Sequence, residues 1–139
     1  MSALATLSFD AGVSIESLES GEIDLAVFDH DAHVYVAWSY LERHELPVAI
    51  DRFSNALIRL TRKIGVPEKY HETITWFFLL LIAERRQTTR GGSWKAFCDS
   101  NPDLFGSGSA VFGRHYTHDR LMSPLARRLF LLPDKSTSP

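Results

Sequence analysis

Apolar positions recur with helical spacing through most of the chain, and one stretch, KYHETITWFFLLLIAERR from Lys69 to Arg86, is apolar almost all round from Trp76 to Ala83. A helix without a polar face is stable only where neighbours cover its circumference, so this stretch is the predicted central helix. Its first turn carries Tyr70, His71, Glu72, Thr73 and Thr75. Polar groups at the edge of a core need partners or are kept for chemistry, which makes this turn the leading clue to a site.

Two amphipathic helices precede it. Asp29 offers an N-cap for a helix running to about His44, and His33, Val34, Ala37, Trp38 and Leu41 fall on one stripe counted from His30. Glu45, Leu46 and Pro47 form a short link into a second helix that runs to about Ile64. Its apolar face is Ile50, Phe53, Leu57, Leu60 and Ile64, and Asp51, Arg52, Asn55, Arg59, Arg62 and Lys63 face water. So short a link makes the pair an antiparallel hairpin. Gly65, Val66 and Pro67 then stop the second helix.

After Arg86, QTTRGGS reads as a turn, and Ser93 caps a short helix from Trp94 to about Ser100. The Gly- and Ser-rich stretch from Gly106 to Gly113 reads as a loop, followed by His115, Tyr116, Thr117 and His118. A last helix begins near Ser123 and Pro124, with Leu125, Leu129 and Phe130 as its apolar side. The expectation is an all-α fold: a compact single-domain helical bundle in which the hairpin packs on the hydrophobic central helix. Residues 28–134 form this domain and 135–139 a tail. Residues 1–27 are weakly patterned, and fit an N-terminal arm or a short strand or helix laid over the core.

Length and composition agree with one globular domain: 139 residues, 45% hydrophobic and 23% charged. The formal charge of -2 provides no field that would favour nucleic acid or an anionic membrane. The N-terminus lacks a basic region followed by an apolar run and carries Asp10, Glu16, Glu19, Glu22 and Asp24 instead. The apolar run of the central helix is about half of the roughly 20 residues that cross a bilayer. Cys98 is the one cysteine, and WKAFCDS places it on the apolar side of a short helix, so a reduced thiol in the core and a cytoplasmic location are expected.

The pattern Phe28, His30, His33, Ala37, Trp38, then Lys69, Tyr70, His71, Glu72, Thr73, Thr75, then His115, Tyr116, and finally Leu121, Ser123, Ala126, Arg127, Pro133 and Asp134 resembles a family of small uncharacterised bacterial proteins. The likeness covers roughly residues 28–134. It supports the limits of the domain and directs attention to the same histidines. It implies no reaction, cofactor or partner.

His30 and His33 lie one helical turn apart on the first helix, and His71 opens the inner side of the central one. Three imidazoles suit zinc, iron or copper, so His30, His33 and His71 form a candidate metal set. Glu72 or Asp29 would supply a carboxylate, and His115, Tyr116 or His118 would close the site. HDAH lacks the glutamate base of an HExxH zinc enzyme, and a first-turn His30 also suits a capping role. Without a metal, His33 or His71 serves as a general acid or base, with Glu72 orienting it or acting itself. Tyr70, Thr75, His115 and Tyr116 would then contact a small-molecule substrate. The expectation is a small cytosolic enzyme with a histidine-lined pocket between the first and third helices.

Other readings stand beside it. The arginines of RRQTTR and ARR could hold an anion, although such residues at helix ends are more often solvated. GSGSAVFG follows no predicted strand and lacks a P-loop lysine, so it reads as a linker. Val36, Ala37, Tyr40, Ala49, Phe53 and Ala56 match one tetratricopeptide hairpin, but no second copy follows. The alternative function is therefore a non-catalytic helical adaptor or ligand-binding protein, using Trp76, Phe77 or Trp94 if exposed. The aromatic excess near Trp76 also raises a homodimer.

Overall fold

The structure, a computed structural model, describes residue 9 and residues 12–89, 92–106 and 109–135, the side chain of residue 109 excepted. Among the described residues it is all helix and connection, with no strand. The helices are α1 (Ile15–Ser20), α2 (His30–Arg43), α3 (Leu46–Lys63), α4 (Glu72–Thr88), α5 (Trp94–Ser100), α6 (Ser109–His115), α7 (His118–Leu121) and α8 (Pro124–Arg128). Pro67–Lys69 and Pro102–Leu104 are single 3-10 turns. No helix among the described residues is long and apolar enough to cross a membrane.

The α2–α3 hairpin packs on α4, and α8 covers another side of α4. This arrangement follows from the sequence of α4: Phe77, Phe78, Leu79 and Ile82 are all buried, as are Thr73 and Thr75. Each large apolar side chain removed from water contributes roughly 1.5–3 kcal/mol, enough for α4 to dominate the core. In α3 the exposed and buried positions separate as the periodicity requires, except that Ile64 lies exposed past the end of the helix. The short loop after α2 contains only His44 and Glu45, and Tyr40 and Phe53 pack across the hairpin with ring centroids 5.5 Å apart.

The N-terminal stretch resolves to a helix laid over the core. Ser14 and Ser17 exchange side-chain and main-chain bonds at its start, closing a reciprocal cap on α1. Its end turns through Gly21 at φ 78°, where the amides of Gly21 and Glu22 bond the carbonyls of Leu18 and Ser17. A Cβ at Gly21 would stand 3.0 Å from Lys63 Cδ and Nζ, and Lys63 Nζ donates to the Gly21 carbonyl at 2.9 Å. Val13, Ile15, Leu18 and Ile23 are buried. Glu19 accepts from the buried Tyr40 hydroxyl at 2.9 Å and from Arg52 at 2.8 Å, and Glu16 pairs with Arg43. α2 buries Ala32, Val36 and Tyr40 outside its predicted stripe, and α1 packs on this helix, with Glu19 meeting Tyr40. Residues 1–8 and 10–11 of the expected arm lie outside the described residues.

Three boundaries differ from expectation. The central helix begins at Glu72, because His71 is extended (φ -135°, ψ 108°) and serves as its N-cap. The expected loop from Gly106 to Gly113 contains the start of α6, whose Val111 and Phe112 are buried; burial outweighs the local Gly and Ser signal. The last helix ends at Arg128, so Leu129 and Phe130 fall in an extended segment, and Ala126 is the residue α8 buries. Leu125 and Leu129 are exposed.

That extended segment is fastened by side chains. Thr73 Oγ1 donates to Leu129 O at 2.7 Å and accepts from Leu131 N at 3.1 Å. Tyr116 donates to Leu131 O at 2.7 Å, Arg120 to Leu132 O at 2.9 Å, and Asp134 accepts from the amide and hydroxyl of Thr117.

Candidate functional site

The start of α2 faces a cavity of about 270 Å³ bounded by α3 and α4. Phe28, Ala37, Phe53, Leu57, Ile74 and Phe78 make its apolar walls, and Asp29, His30, His33 and Thr75 are its polar members. Asp29 is the N-cap of α2, its Oδ1 accepting from Ala32 N at 3.0 Å. Its carbonyl lies 2.7 Å from His33 Nδ1. A carbonyl can only accept, so Nδ1 carries the proton and Nε2 of neutral His33 is left as a bare acceptor. No hydrogen bond to Nε2 is formed among the described residues. The His33 ring stacks on Phe28, 3.9 Å between centroids and 13° from parallel. Burial is the main influence on His33 and lowers its pKa, opposed by the Asp29 carbonyl; the His30 charge lowers it further and the Asp29 charge raises it.

His30 is fixed by the same logic on its other nitrogen. Nε2 donates to Leu104 O at 2.8 Å, leaving Nδ1 as the acceptor, and the ring meets Phe78 edge-on at 5.1 Å.

His71 is placed differently from the sequence expectation. Its Nδ1 accepts from Ile74 N at 3.1 Å and its Nε2 donates to Leu121 O at 2.8 Å, so both ring nitrogens are committed to main chain. Burial lowers its pKa, with Arg127 acting the same way and the Leu121 carbonyl against it. His71 is buried and does not line the His33 cavity. Its neighbour Glu72 turns elsewhere, accepting from the Tyr70 hydroxyl at 2.5 Å. Burial, then Glu72, pushes the Tyr70 phenol up, against the hydroxyls of Ser54 and Thr75. Among the described residues no three His, Cys, Asp or Glu side chains come together in a group that could hold a metal ion. The candidate set His30, His33 and His71 is divided accordingly: the first two share a cavity, and the third closes a helix end.

The remaining candidates fall in two further cavities or in none. Tyr70 and Glu72 border an open cleft of about 540 Å³ with Arg62, Arg127 and Arg128. Arg127 donates to Glu68 O at 2.9 Å. Of the other arginines considered for an anion, Arg85 and Arg86 are taken by Asp103 at 2.9 Å and Glu42 at 2.5 Å, and Arg90 lies outside the described residues. Tyr116 and His118 line a cavity of about 470 Å³ with His30, Ile74, Phe112, Gly113, Leu121 and Met122. Burial pushes the Tyr116 phenol up to about 12. His115 packs its ring 5.0 Å from Phe77, and burial and Arg114 lower its pKa.

Of the aromatics considered for an adaptor surface, Phe77 is buried and Trp76 and Trp94 are half-buried. Trp76 stacks on Phe130 at 5.7 Å, and Trp94 sits among Tyr35, Trp38, Phe97 and Phe105. Cys98 is buried in α5.

Comparison with protein-family models, with curated proteins and with solved structures finds no match to this chain.

Sequence reasoning missed the contributions of Phe53 and Leu57 from α3, of the Leu104 carbonyl, and of the wall formed by Phe112 and Gly113. The α3 pair was visible as an apolar face without its destination. The Gly113 position carried a signal that was read the other way, a glycine beside two apolar residues that proves to be inside a helix.

Proposed function

We propose that this protein binds a small, largely apolar molecule carrying a hydroxyl or N–H group, with His33 accepting that hydrogen and serving as general base. The observation that carries this is the fixed tautomer of His33: its proton is held on Nδ1 by the Asp29 carbonyl, while Nε2 has no partner among the described residues and lies beside an apolar cavity of about 270 Å³. A lowered pKa keeps the imidazole neutral near pH 7, the state in which it accepts a proton. Thr75 supplies a second polar group on the opposite wall. Phe77 is buried and Trp76 and Trp94 are engaged with neighbouring rings, which favours a cavity ligand over an adaptor surface. The buried Cys98 suits a reducing, cytoplasmic setting.

The test is ligand-observed NMR with a set of small alcohols, phenols and amides. Binding should shift the His33, Ala37, Ile74 and Phe78 resonances and be lost in His33→Phe, which keeps a ring against Phe28 and removes Nε2. Equal binding to wild type and His33→Phe, or no perturbation of these residues by any member of the set, would overturn the reading.

A further inference from the structure

We propose that the ligand is elongated, with its hydrogen-bonding end at His33 and an apolar tail that passes between His30 and Ile74 into the second cavity; this rests on the ligand reading above. His30 and Ile74 line both cavities, so these side chains stand between them. The aromatic wall runs across the divide: Phe78 lines the first cavity, Phe112 the second, and their ring centroids are 5.2 Å apart. The first cavity has Asp29, His33 and Thr75 in its lining; the second is bounded by Phe112, Leu121 and Met122 together with the exposed His118, and its Tyr116 hydroxyl is already bonded to Leu131 O. A molecule whose polar end meets His33 and whose unbranched body is apolar fits the mostly apolar walls of the two cavities, with His118 in contact with solvent.

Gly113 supports the tail's course. It lies inside α6, where glycine is a poor helix former, and a Cβ built there would meet nothing within 4 Å. Gly113 is exposed and lines the second cavity. A larger residue at this position of the lining has room for its Cβ.

The experiment is a series of primary alkanols from butanol to octanol, titrated into the full chain and followed through the His33 and Phe112 resonances. Affinity should rise about four-fold per methylene, the factor for moving one CH₂ out of water, with Phe112 responding only to the longer members. In Gly113→Phe, and in Met122→Trp at the other wall, the rise should stop partway through the series while butanol binds as before; the helical spectrum reports that each variant is folded. Octanol binding no tighter than butanol would overturn the elongated ligand and leave the His33 reading standing. So would an unbroken rise in both folded variants. Failure of every alkanol to move His33 would remove both.

Discussion

The Nε2 of His71 donates to the main-chain oxygen of Leu121 at 2.8 Å, tying the start of the central helix to the end of α7. With Nδ1 capping Ile74, one imidazole satisfies an orphan amide and a buried carbonyl together. His71→Ala should therefore cost about 2–4 kcal/mol, the sum of a lost cap and an unpaired buried acceptor. His71→Asn, a good cap that cannot reach Leu121, should recover roughly half of that loss. Urea denaturation of the three proteins measures the difference. A loss of helix stability as large in His71→Asn as in His71→Ala would contradict the capping role.

Stability should also fall as pH drops below about 6.5. His71 and His33 both have folded pKa values below the ordinary imidazole value. The unfolded chain thus binds protons first, so their contribution is complete above about pH 6.5 and is lost as pH falls through the lower folded values. Asp103, held at about 2 chiefly by Arg85 with help from Arg114, acts in a separate window, present above about 3.9 and lost below it. Denaturation midpoints between pH 7 and 5 should decline in wild type and decline less in His71→Asn. A flat profile in wild type would refute the histidine linkage.

Thr73 makes two bonds to the extended C-terminal segment, and no isosteric apolar residue can make either. Thr73→Val should cost about 2 kcal/mol by leaving Leu129 O and Leu131 N without their partner. Hydrogen exchange at the Leu131 amide should accelerate well beyond the change at core amides of α4. Thr73→Ser should restore most of the protection.

Two glycines should respond to alanine in opposite directions. Gly113→Ala should stabilise the protein by about 0.5–1 kcal/mol, since α6 gains a better helix former and the new Cβ meets nothing within 4 Å. Gly21→Ala should destabilise by about 1–2 kcal/mol, since φ is 78° and the new Cβ would stand 3.0 Å from Lys63. Thermal unfolding of both variants checks the pair of signs.

Binding at His33 should weaken on acidification. Protonation fills Nε2 and removes the acceptor, with the His30 and Asp29 charges acting on the ring in opposite senses. Affinity for an alkanol should be constant above about pH 6.5 and fall below the lowered His33 pKa. A titration that shows affinity rising with acidity would exclude the acceptor role.

The hairpin and the central helix were legible because fourteen to eighteen residues of regular spacing constrain which face is buried. The six residues of α1 do not, and what fixes them, the Glu19 bonds to Tyr40 and Arg52, joins positions far apart in sequence. The C-terminal segment escaped for the same reason: Thr73 gives no local sign that its hydroxyl serves Leu129 and Leu131. At the histidines, periodicity identified the right helices but not the state of each nitrogen. A shift of the helix start from Lys69 to Glu72 turns His71 from a first-turn side chain into a cap, and the cap consumes the lone pair that a ligand role needs. His33 kept one nitrogen open because its partner, Asp29 O, lies in the same helix start.

The bonds that finish the first turn of α4 span 50 and 56 residues. During synthesis α4 therefore emerges with its Thr73 hydroxyl and the outer nitrogen of His71 still solvated, because the carbonyls they will meet have not been made. The two preceding helices can pair with it early, but this end of the bundle is finished only after residue 131 has left the ribosome. A chain halted before that point would present a nearly complete core with one unsealed end, the condition in which quality-control machinery distinguishes an unfinished protein from a finished one.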